Sequence, residues 1–270
     1  MKVLRRAGRN IELTPAGRRL AAYAAEALAA DETIRTELAL LRDAPSGRLR
    51  MTVVQTPAFA LLPGVLDRLA GTAPDLQLEV VQLETAPALE ELRSRAVDLV
   101  VGVEYEPVPV GRHHDVDRHD LLREDVLVVL HPDHPAARRR AASVRLAELE
   151  HIPWATGHRG TGLDAVLRNV CNRLGGFEPE IRHRSDDGLV LAAIVASGRA
   201  VSVALLSALL ATSLPQITTR RLREERLQRT IFTAARATTR NAPAVVAVRE
   251  ALAVVAREIA SHRHDVDALD

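Results

Sequence analysis

Apolar residues recur every three or four positions through the first long segment of the chain. Thr14 and Pro15 open this segment as a good N-cap and a favoured first helical residue. The sequence then stays rich in Ala, Leu, Arg and Glu as far as Asp43, which predicts a linker and dimerisation helix over residues 14–43. Steps of four and three between apolar positions are typical of a helix that pairs with another helix. The predicted seam consists of Leu20, Ala24, Ala27, Ile34, Leu38 and Leu41.

The rest of the chain alternates short apolar runs with helical stretches, after a helix-ending segment at Ala44–Gly47. This alternation is typical of an α/β fold. Two apolar strands, Asp125–Leu130 and Arg229–Ala235, bracket a middle section with its own alternation, which predicts two lobes with a cleft between them. The predicted body covers residues 48–265, with lobe I at about 48–121 and 224–265 and lobe II at about 122–223.

Two polar segments are expected to lie outside the strands and helices. Histidines and aspartates between 113 and 120 are expected in a surface loop because Pro107 and Pro109 precede them, and their spacing matches no closed zinc motif. The polar tail His262–Asp270 is expected to be disordered.

The other predicted strands lie at Arg48–Val54, Leu76–Leu83, Asp98–Val103, Ile152–Ala155, Glu180–Arg184 and Ala200–Ala204. The predicted helices lie near Phe59–Leu69, Ala88–Arg95, Gly162–Leu174, Gly188–Ser197 and Pro243–Ser261.

Composition narrows the class of protein. Apolar residues make up 47% of the 270 residues and charged residues 26%, as in ordinary globular proteins. The single cysteine, Cys171, excludes an internal disulfide framework, suits a reducing cytoplasm and is expected to be an inert buried thiol. No apolar run approaches the roughly 20 residues of a membrane helix, and no secretory signal is recognisable. The motifs of serine hydrolases, phosphate-binding loops and zinc proteases are absent from the sequence, so we predict no enzyme, no metal and no cofactor.

Positive charge is concentrated at the N-terminus. Six basic residues against Glu12 give residues 1–19 a net charge of +5, whereas the whole chain carries only +1 and the remainder therefore −4. This asymmetry is expected when one end of a protein approaches phosphates, although a solvated terminus is the simpler explanation.

Several motifs together resemble the LysR-type transcriptional regulators. The most specific is Leu13–Leu20 (LTPAGRRL), which resembles the end of that family's wing and the start of its linker helix. Val97–Gly102 (VDLVVG), His131–Pro135 (HPDHP) and Ala193–Ala200 (AIVASGRA) also match, as does a strand followed by Leu-Leu-Pro at 52–63. The resemblance implies two Rossmann-like lobes of the type 2 periplasmic-binding-protein kind after a long linker helix. It also implies a small-molecule effector between the lobes, in the simplest case an organic acid, and a homodimer or homotetramer.

The resemblance further implies that a winged helix-turn-helix before this point reads DNA in the major groove. Residues 1–13 resemble a remnant of its wing, so we expect the given residues alone to read no DNA sequence. At most Arg5, Arg6 and Arg9 contact phosphates, which positions a protein on DNA without specifying a sequence.

The predicted cleft is where an effector is expected, since ligands of open α/β sheets bind beyond the carboxyl ends of strands and against helix N-termini. Gln55, Thr56 and Pro57 follow the first strand, and Thr56 stands where the family often contacts effector with Ser or Thr. Thr161, followed three residues later by Asp164, resembles a capping box. Each of these polar side chains could equally be a plain helix N-cap. The other expected effector-site residues are Val103, Glu104, Thr156, Arg159, Asp186 and Asp187.

Other functions stay open on the sequence alone. A solute-binding protein of a transporter has the same two-lobed architecture but requires an export signal or lipid anchor. An enzyme on a related fold is a second alternative, and a headless sensor that sequesters full-length relatives is a third. The long helix could also lie on its own domain instead of pairing with a partner.

Overall fold

The structure is a computed structural model that describes residues 2–41, 44–139, 141–198 and 203–269. Its helices are α1 (Pro15–Ala39), α2 (Gln55–Thr72), α3 (Thr85–Arg93), α4 (Pro135–Arg138), α5 (Gly162–Val170), α6 (Gly188–Ala196), α7 (Ala208–Ala211) and α8 (Pro243–Ser261). The first strands are β1 (Leu4–Ala7), β2 (Asn10–Leu13), β3 (Gly47–Val53), β4 (Leu76–Gln82), β5 (Leu99–Tyr105) and β6 (Val116–Leu130). The later strands are β7 (Ser143–Val144), β8 (Trp154–Thr156), β9 (Ile181–Arg184), β10 (Val203–Ser207), β11 (Thr218–Leu222), β12 (Gln228–Arg236) and β13 (Val266–Ala268).

Two groups of strands share one long strand, β6. On one side the order is β4-β3-β5-β12-β6, with β4, β3 and β5 parallel and β12 antiparallel to its neighbours. On the other side the order is β6-β10-β8-β9, with β10, β8 and β9 parallel. Strand β6 pairs with β12 as far as Asp125 and with β10 from Val126 onward. We call the β12 side lobe I and the β10 side lobe II.

Strand β5 shows why the parallel strands are continuous apolar runs. Leu99, Val101 and Val103 pack into the large core that includes α2 and α8, whereas Val100 points to the opposite face and packs with α3. All four side chains are at most 5% exposed, because helices cover both faces of the sheet. The strict alternation of faces along this strand also decides where Glu104 points.

The N-terminal β1–β2 hairpin folds back onto the start of α1. Thr14 caps the helix as predicted: its Oγ1 accepts a hydrogen bond from the Gly17 N–H at 3.0 Å and donates one to the Lys2 carbonyl at 2.9 Å. Glycine is required at position 17 because a Cβ there would lie 2.0 Å from the Val3 carbonyl oxygen. The hairpin is therefore joined closely to the first helical turn.

Helix α1 leaves its predicted seam in solvent. All six seam positions are exposed, and Leu38 and Leu41 are exposed to 57% and 81%. The helix ends at Ala39, with Leu40 as its C-cap, and so stops short of the predicted end at residue 43. Residues 42 and 43 of the predicted helix lie outside the described residues.

Two predictions about polar segments were wrong, the first of them in part. Strand β6 begins at Val116, so residues 113–115 lie outside the strand as predicted, whereas Asp117, His119 and Asp120 pair with β12 instead of lying in a loop. Arg249 of α8 contacts Asp117 at 2.6 Å, and this ion pair balances one of the charges on the strand. The C-terminal tail forms β13, which pairs with β6 and buries Val266. One buried apolar residue, Val266, in a mostly polar segment gives too weak a signal to predict that pairing.

Smaller differences concern boundaries. Helix α2 begins at Gln55 instead of near Phe59, which brings its first turn to the edge of the sheet. Helix α5 changes at Cys171 into a short π-helical turn that ends at Gly175. The strand predicted at 200–204 is seen from Val203, and residues 199–202, including the end of the Ala193–Ala200 motif, lie outside the described residues. Across the described ranges, no helix is both long enough and apolar enough to span a bilayer.

Candidate functional site

A cleft lies between the lobes at the carboxyl ends of the parallel strands. Four helices begin at it: α2 at Gln55, α3 at Thr85, α5 at Gly162 and α6 at Gly188. Asp187 caps α6 with its side chain, whereas the N-cap residues of α2, α3 and α5 make no side-chain cap. Free N–H groups at a helix start, together with the helix dipole, favour an anionic group.

Two cavities adjoin in this cleft. The inner cavity has a volume of about 40 Å³, and its lining includes five of the residues that the sequence analysis selected: Gln55, Thr56, Val103, Thr161 and Asp186. The outer cavity, of about 260 Å³, lies beside it. The residues common to both linings are Glu84, Val103, Tyr105 and Thr161.

Thr56 is a buried polar residue at the inner cavity. Its side chain is only 6% exposed, and its hydroxyl has no hydrogen-bond partner among the described residues. Pro57, the next residue, is buried in the first turn of α2, where its missing N–H is not needed, and it lines neither cavity. The predicted Gln-Thr-Pro turn therefore contributes its first two side chains to the cleft.

Gln55 joins the two lobes. Its Nε2 donates a hydrogen bond to Asp187 Oδ1 at 2.5 Å, and its Oε1 accepts one from the Gly188 N–H at 2.7 Å. Asp187 also accepts hydrogen bonds from Leu189 and Val190 at the start of α6. Asp187 is thus a helix N-cap that additionally holds Gln55, and it does not itself line the inner cavity.

Asp186 and Thr161 form the lobe II wall. Asp186 accepts the His158 N–H at 2.9 Å and lies 2.8 Å from His158 Nδ1. Thr161 Oγ1 donates to the His158 carbonyl at 2.8 Å, so the predicted capping box with Asp164 is not formed. Gly157 allows this close arrangement, because a Cβ there would lie 2.4 Å from Thr161 Oγ1.

Besides Pro57 and Asp187, three more of the predicted effector-site residues line neither cavity. Glu104 alternates with Val103 along β5 and points to the opposite face, where it pairs with Arg118 at 2.7 Å. Thr156 is buried within β8, and Arg159 is exposed to solvent. Neither lines the inner or the outer cavity, because the turn after β8 brings Thr161 to the cleft instead. The sequence pattern placed these turns correctly but could not assign the direction of each side chain.

A buried ion pair at the inner cavity was not predicted. Arg229 lines the cavity, and its Nε donates to Glu124 Oε1 at 2.8 Å while Nη1 donates to the Tyr105 hydroxyl at 3.3 Å. Burial by itself lowers the pKa of Arg229, but the Glu124 carboxylate and the Tyr105 hydroxyl together outweigh burial and raise that pKa, so the guanidinium stays charged. Burial also raises the pKa of the Tyr105 hydroxyl.

Glu84 is the second unpredicted feature. It occupies the N-cap position of α3 but does not cap the helix, and it makes no ion pair among the described residues. Burial raises its pKa, and the negative charge of Asp186 across the cleft raises it further, although Arg229 opposes this. Glu84 and Asp186 thus bring two carboxyl groups from opposite lobes to one cavity.

A sequence signal existed for part of this constellation. Glu124 and Arg229 each stand at the edge of a predicted apolar strand, and charged residues at that position are almost never buried unless they are paired. Pairing them with each other requires knowledge of the β6–β12 register, which the sequence pattern did not supply.

The hairpin arginines lie far from this chemistry. Arg5, Arg6 and Arg9 are exposed, and Arg5 pairs with Glu12 on the facing strand at 3.0 Å. Cys171 is buried in lobe II, where burial raises the pKa of its thiol to about 12. Within the part of the chain that the structure describes, no group of three or more His, Cys, Asp or Glu is placed to hold a metal ion.

Comparison with known proteins decides the family. Residues 42–257, most of the chain, match the family described as the LysR substrate binding domain. The chain belongs to the LysR-type transcriptional regulators. This confirms the resemblance of the sequence motifs and assigns the two-lobed body to a family of regulators, not of enzymes or transporter proteins. The body is accordingly an effector-binding domain of the periplasmic-binding-protein-like fold, as predicted.

The relatives cover the chain only in part. A probable nitrogen assimilation transcriptional activator of Synechococcus elongatus is 30% identical over 173 residues, which are 64% of this chain and 54% of that protein. The chain spans somewhat more than half the length of the first curated relatives, between 54% and 59%.

Solved structures share the fold at low identity. The effector binding domain of QuiR in complex with shikimate superposes with a TM-score of 0.67 at 15% identity, covering 79% of this chain and 98% of that one. Full-length CbnR in complex with its target DNA superposes with a TM-score of 0.60 at 20% identity, covering 95% of this chain and 84% of that one. These two likenesses concern the fold alone.

Proposed function

We propose that the chain is the effector-sensing and oligomerising portion of a cytoplasmic LysR-type regulator, with a small-molecule effector bound in the inner cavity. The observation that carries this proposal is Thr56, a residue that is only 6% exposed and lines the cavity, and whose hydroxyl has no hydrogen-bond partner among the described residues. A hydroxyl that lines a cavity without a protein partner is open to a hydrogen bond with a ligand or water. The uncapped starts of α2, α3 and α5 offer further donors to the same ligand.

The charges of the cavity restrict the orientation of such a ligand. A carboxylate, as in a small organic acid, fits the free N–H groups at the helix starts. The same carboxylate is disfavoured beside Glu84 and Asp186, whose negative charges face each other across the cavity. We therefore expect the carboxylate of an organic acid near Thr56 and its hydroxyl or other donor groups toward Glu84.

Effector binding requires the lobes to move. The inner cavity of about 40 Å³ is well below the roughly 300–1,000 Å³ typical of ligand sites. The hydrogen bonds of Gln55 to Asp187 and Gly188 cross the cleft and must rearrange when a ligand enters. How far the lobes shift is then set by the difference in effector affinity between the two arrangements.

We propose further that two chains pair through α1 and that the lobes signal along this helix to DNA-binding heads. The support for pairing is the exposed seam from Leu20 to Leu38, a heptad-spaced apolar stripe on a helix of 25 residues, with the exposed Leu41 two residues beyond the helix end. The β1–β2 hairpin at its start carries Arg5, Arg6 and Arg9 in solvent, where they are free to approach DNA phosphates.

A ligand screen by thermal melting tests the effector site. We expect a small organic acid to raise the melting temperature of the chain. Thr56→Val should reduce the affinity of the chain for this acid at least about tenfold, since a polar group of the bound acid then loses its hydrogen-bond partner. Thr72→Val is the matched control, because Thr72 lies at the other end of the same helix and its hydroxyl bonds only to the Arg68 carbonyl. Equal affinity of the parent and the Thr56 variant for the ligand would remove Thr56 from the site.

A further inference from the structure

Helix α1 contacts the body mainly through one short stretch near its end. Thr36 is buried, and its hydroxyl donates to the Thr238 carbonyl at 3.3 Å. Glu32, one turn earlier on the same face, has a side chain that is 14% exposed. At about 100° per residue, this face lies opposite the exposed seam of the helix. The contact with the body therefore leaves the seam free.

Glu32 is the centre of an ion-pair cluster. Its Oε1 lies 2.8 Å from Arg236 Nε and 3.1 Å from Arg95 Nε, and its Oε2 accepts a hydrogen bond from the Thr238 hydroxyl at 2.7 Å. We call Glu32, Arg95, Arg236 and Thr238 the Glu32 cluster. Arg236 is itself held by Asp98 at 3.2 Å and by the Leu92 carbonyl at 3.0 Å. The cluster is thus anchored in the lobe I framework.

Arg95 adopts a backbone conformation that favours glycine. It follows the last turn of α3 with φ of 67°, and the Ala96 N–H bonds back to the Glu91 carbonyl at 2.9 Å. Helices that end in this way usually have glycine at this position. An arginine here bears a conformational cost, and what its side chain gains is the contact with Glu32.

Two elements run directly from the effector cleft to this cluster. Helix α3 begins at the cleft, where Glu84 is its N-cap, and is followed by Arg95. Strand β12 has Arg229 at the inner cavity and Arg236 in the cluster, seven residues apart, or about 23 Å in an extended strand. The arginines that hold Glu32 are therefore fixed to the far ends of elements whose near ends line the cleft.

We infer that the Glu32 cluster is the joint that fixes the direction of α1 relative to lobe I. Through this joint, α1 follows the ends of α3 and β12. The use of this joint in signalling rests on the proposed function, whereas the existence of the joint does not depend on that function.

Distance measurement between two spin labels tests the joint without any effector. Labels at Glu26→Cys on α1 and Glu250→Cys on α8 use two exposed positions, and the native Cys171 is buried and resists labelling. Labelled chain is diluted with unlabelled chain, so that only distances within one chain are recorded. The parent is expected to give one narrow distance distribution, and Glu32→Gln is expected to broaden it at least about twofold.

The control is Asp31→Asn, which removes the same charge one residue earlier. Among the described residues, Asp31 makes its ion pair with Arg35 of its own helix, at 2.8 Å, so we expect the parent distribution. Fluorescence of Trp154, the only tryptophan and a fully buried one, verifies that the body of each variant is folded. A folded Glu32→Gln variant with the parent's narrow distribution, or equal broadening by Asp31→Asn, would overturn the inference. Loss of the joint would leave the effector-site test with Thr56→Val unaffected.

Discussion

Helices α1 and α8 are built from similar residues but bury very different surfaces. Both are rich in Ala, Val or Leu, Arg and Glu, and both begin with proline. Seven of the 19 residues of α8 are buried, including Val248 and Leu252, whereas only Gly17 and Thr36 are buried among the 25 residues of α1. The apolar face of α8 packs on α2 and the sheet of lobe I, while that of α1 faces solvent within one chain.

The difference shows that an apolar stripe on a helix can either pack into the core of its own domain or stay exposed. On α8 it is the inner face of a core helix, and the broad stripe matches the width that a globular domain covers. On α1 the stripe is narrow, heptad-spaced and turned away from the contact that Thr36 and Glu32, one turn apart, make with the body. The stability of the chain should therefore depend on the first stripe and its self-association on the second.

The largest expected effect is on α8. Leu252→Ala should lower the free energy of unfolding by about 2–5 kcal/mol, because Leu252 is 1% exposed and its removal leaves a cavity in the core. Leu28→Ala on α1 is the matched control, since Leu28 is 48% exposed and should change that free energy by less than about 0.5 kcal/mol. Urea unfolding followed by Trp154 fluorescence measures both. Similar losses in the two variants would contradict the distinction between the helices.

The next effect is on association and not on folding. Leu38→Asp together with Leu41→Asp should weaken self-association at least about tenfold, or about 1.4 kcal/mol, because charges would face each other in the seam. Mass measured by light scattering over a dilution series reports this change. Ala22→Asp with Thr33→Asp places the same charges on exposed positions off the seam and should leave the mass unchanged. An unaltered mass for the seam variant would count against pairing through α1.

The smallest effect concerns the packing of α8 against α2. Gly71→Ala should raise the free energy of unfolding by about 0.5–1 kcal/mol, because nothing lies within 4 Å of the new Cβ and alanine favours helix. Gly64→Ala should give a smaller gain or a loss, since its Cβ would lie 3.0 Å from a methyl group of Val255 on α8. A larger gain at Gly64 than at Gly71 would show that the two helices pack less closely than described.

The sequence predicted the elements better than the directions of single side chains. The cap at Thr14, the α/β alternation and the place of Thr56 at the cleft follow from local patterns, and the structure has all three. Glu104 was assigned to the wrong face of the sheet, because both faces of β5 are covered by helices and the sequence did not show which face is turned to the cleft. The partners of Arg229 and Glu32 were out of reach, because each contact joins residues that lie more than 60 positions apart along the chain.

Strand β6 has a mechanical consequence for any motion of the lobes. It continues without interruption from its pairing with β12 to its pairing with β10, so the lobes share a hydrogen-bonded ribbon and not only loops. Opening the cleft must therefore twist or bend this ribbon, in which the register of β12 and β6 shifts beside Ile231. A connection of this kind permits small rotations of the lobes and resists large ones.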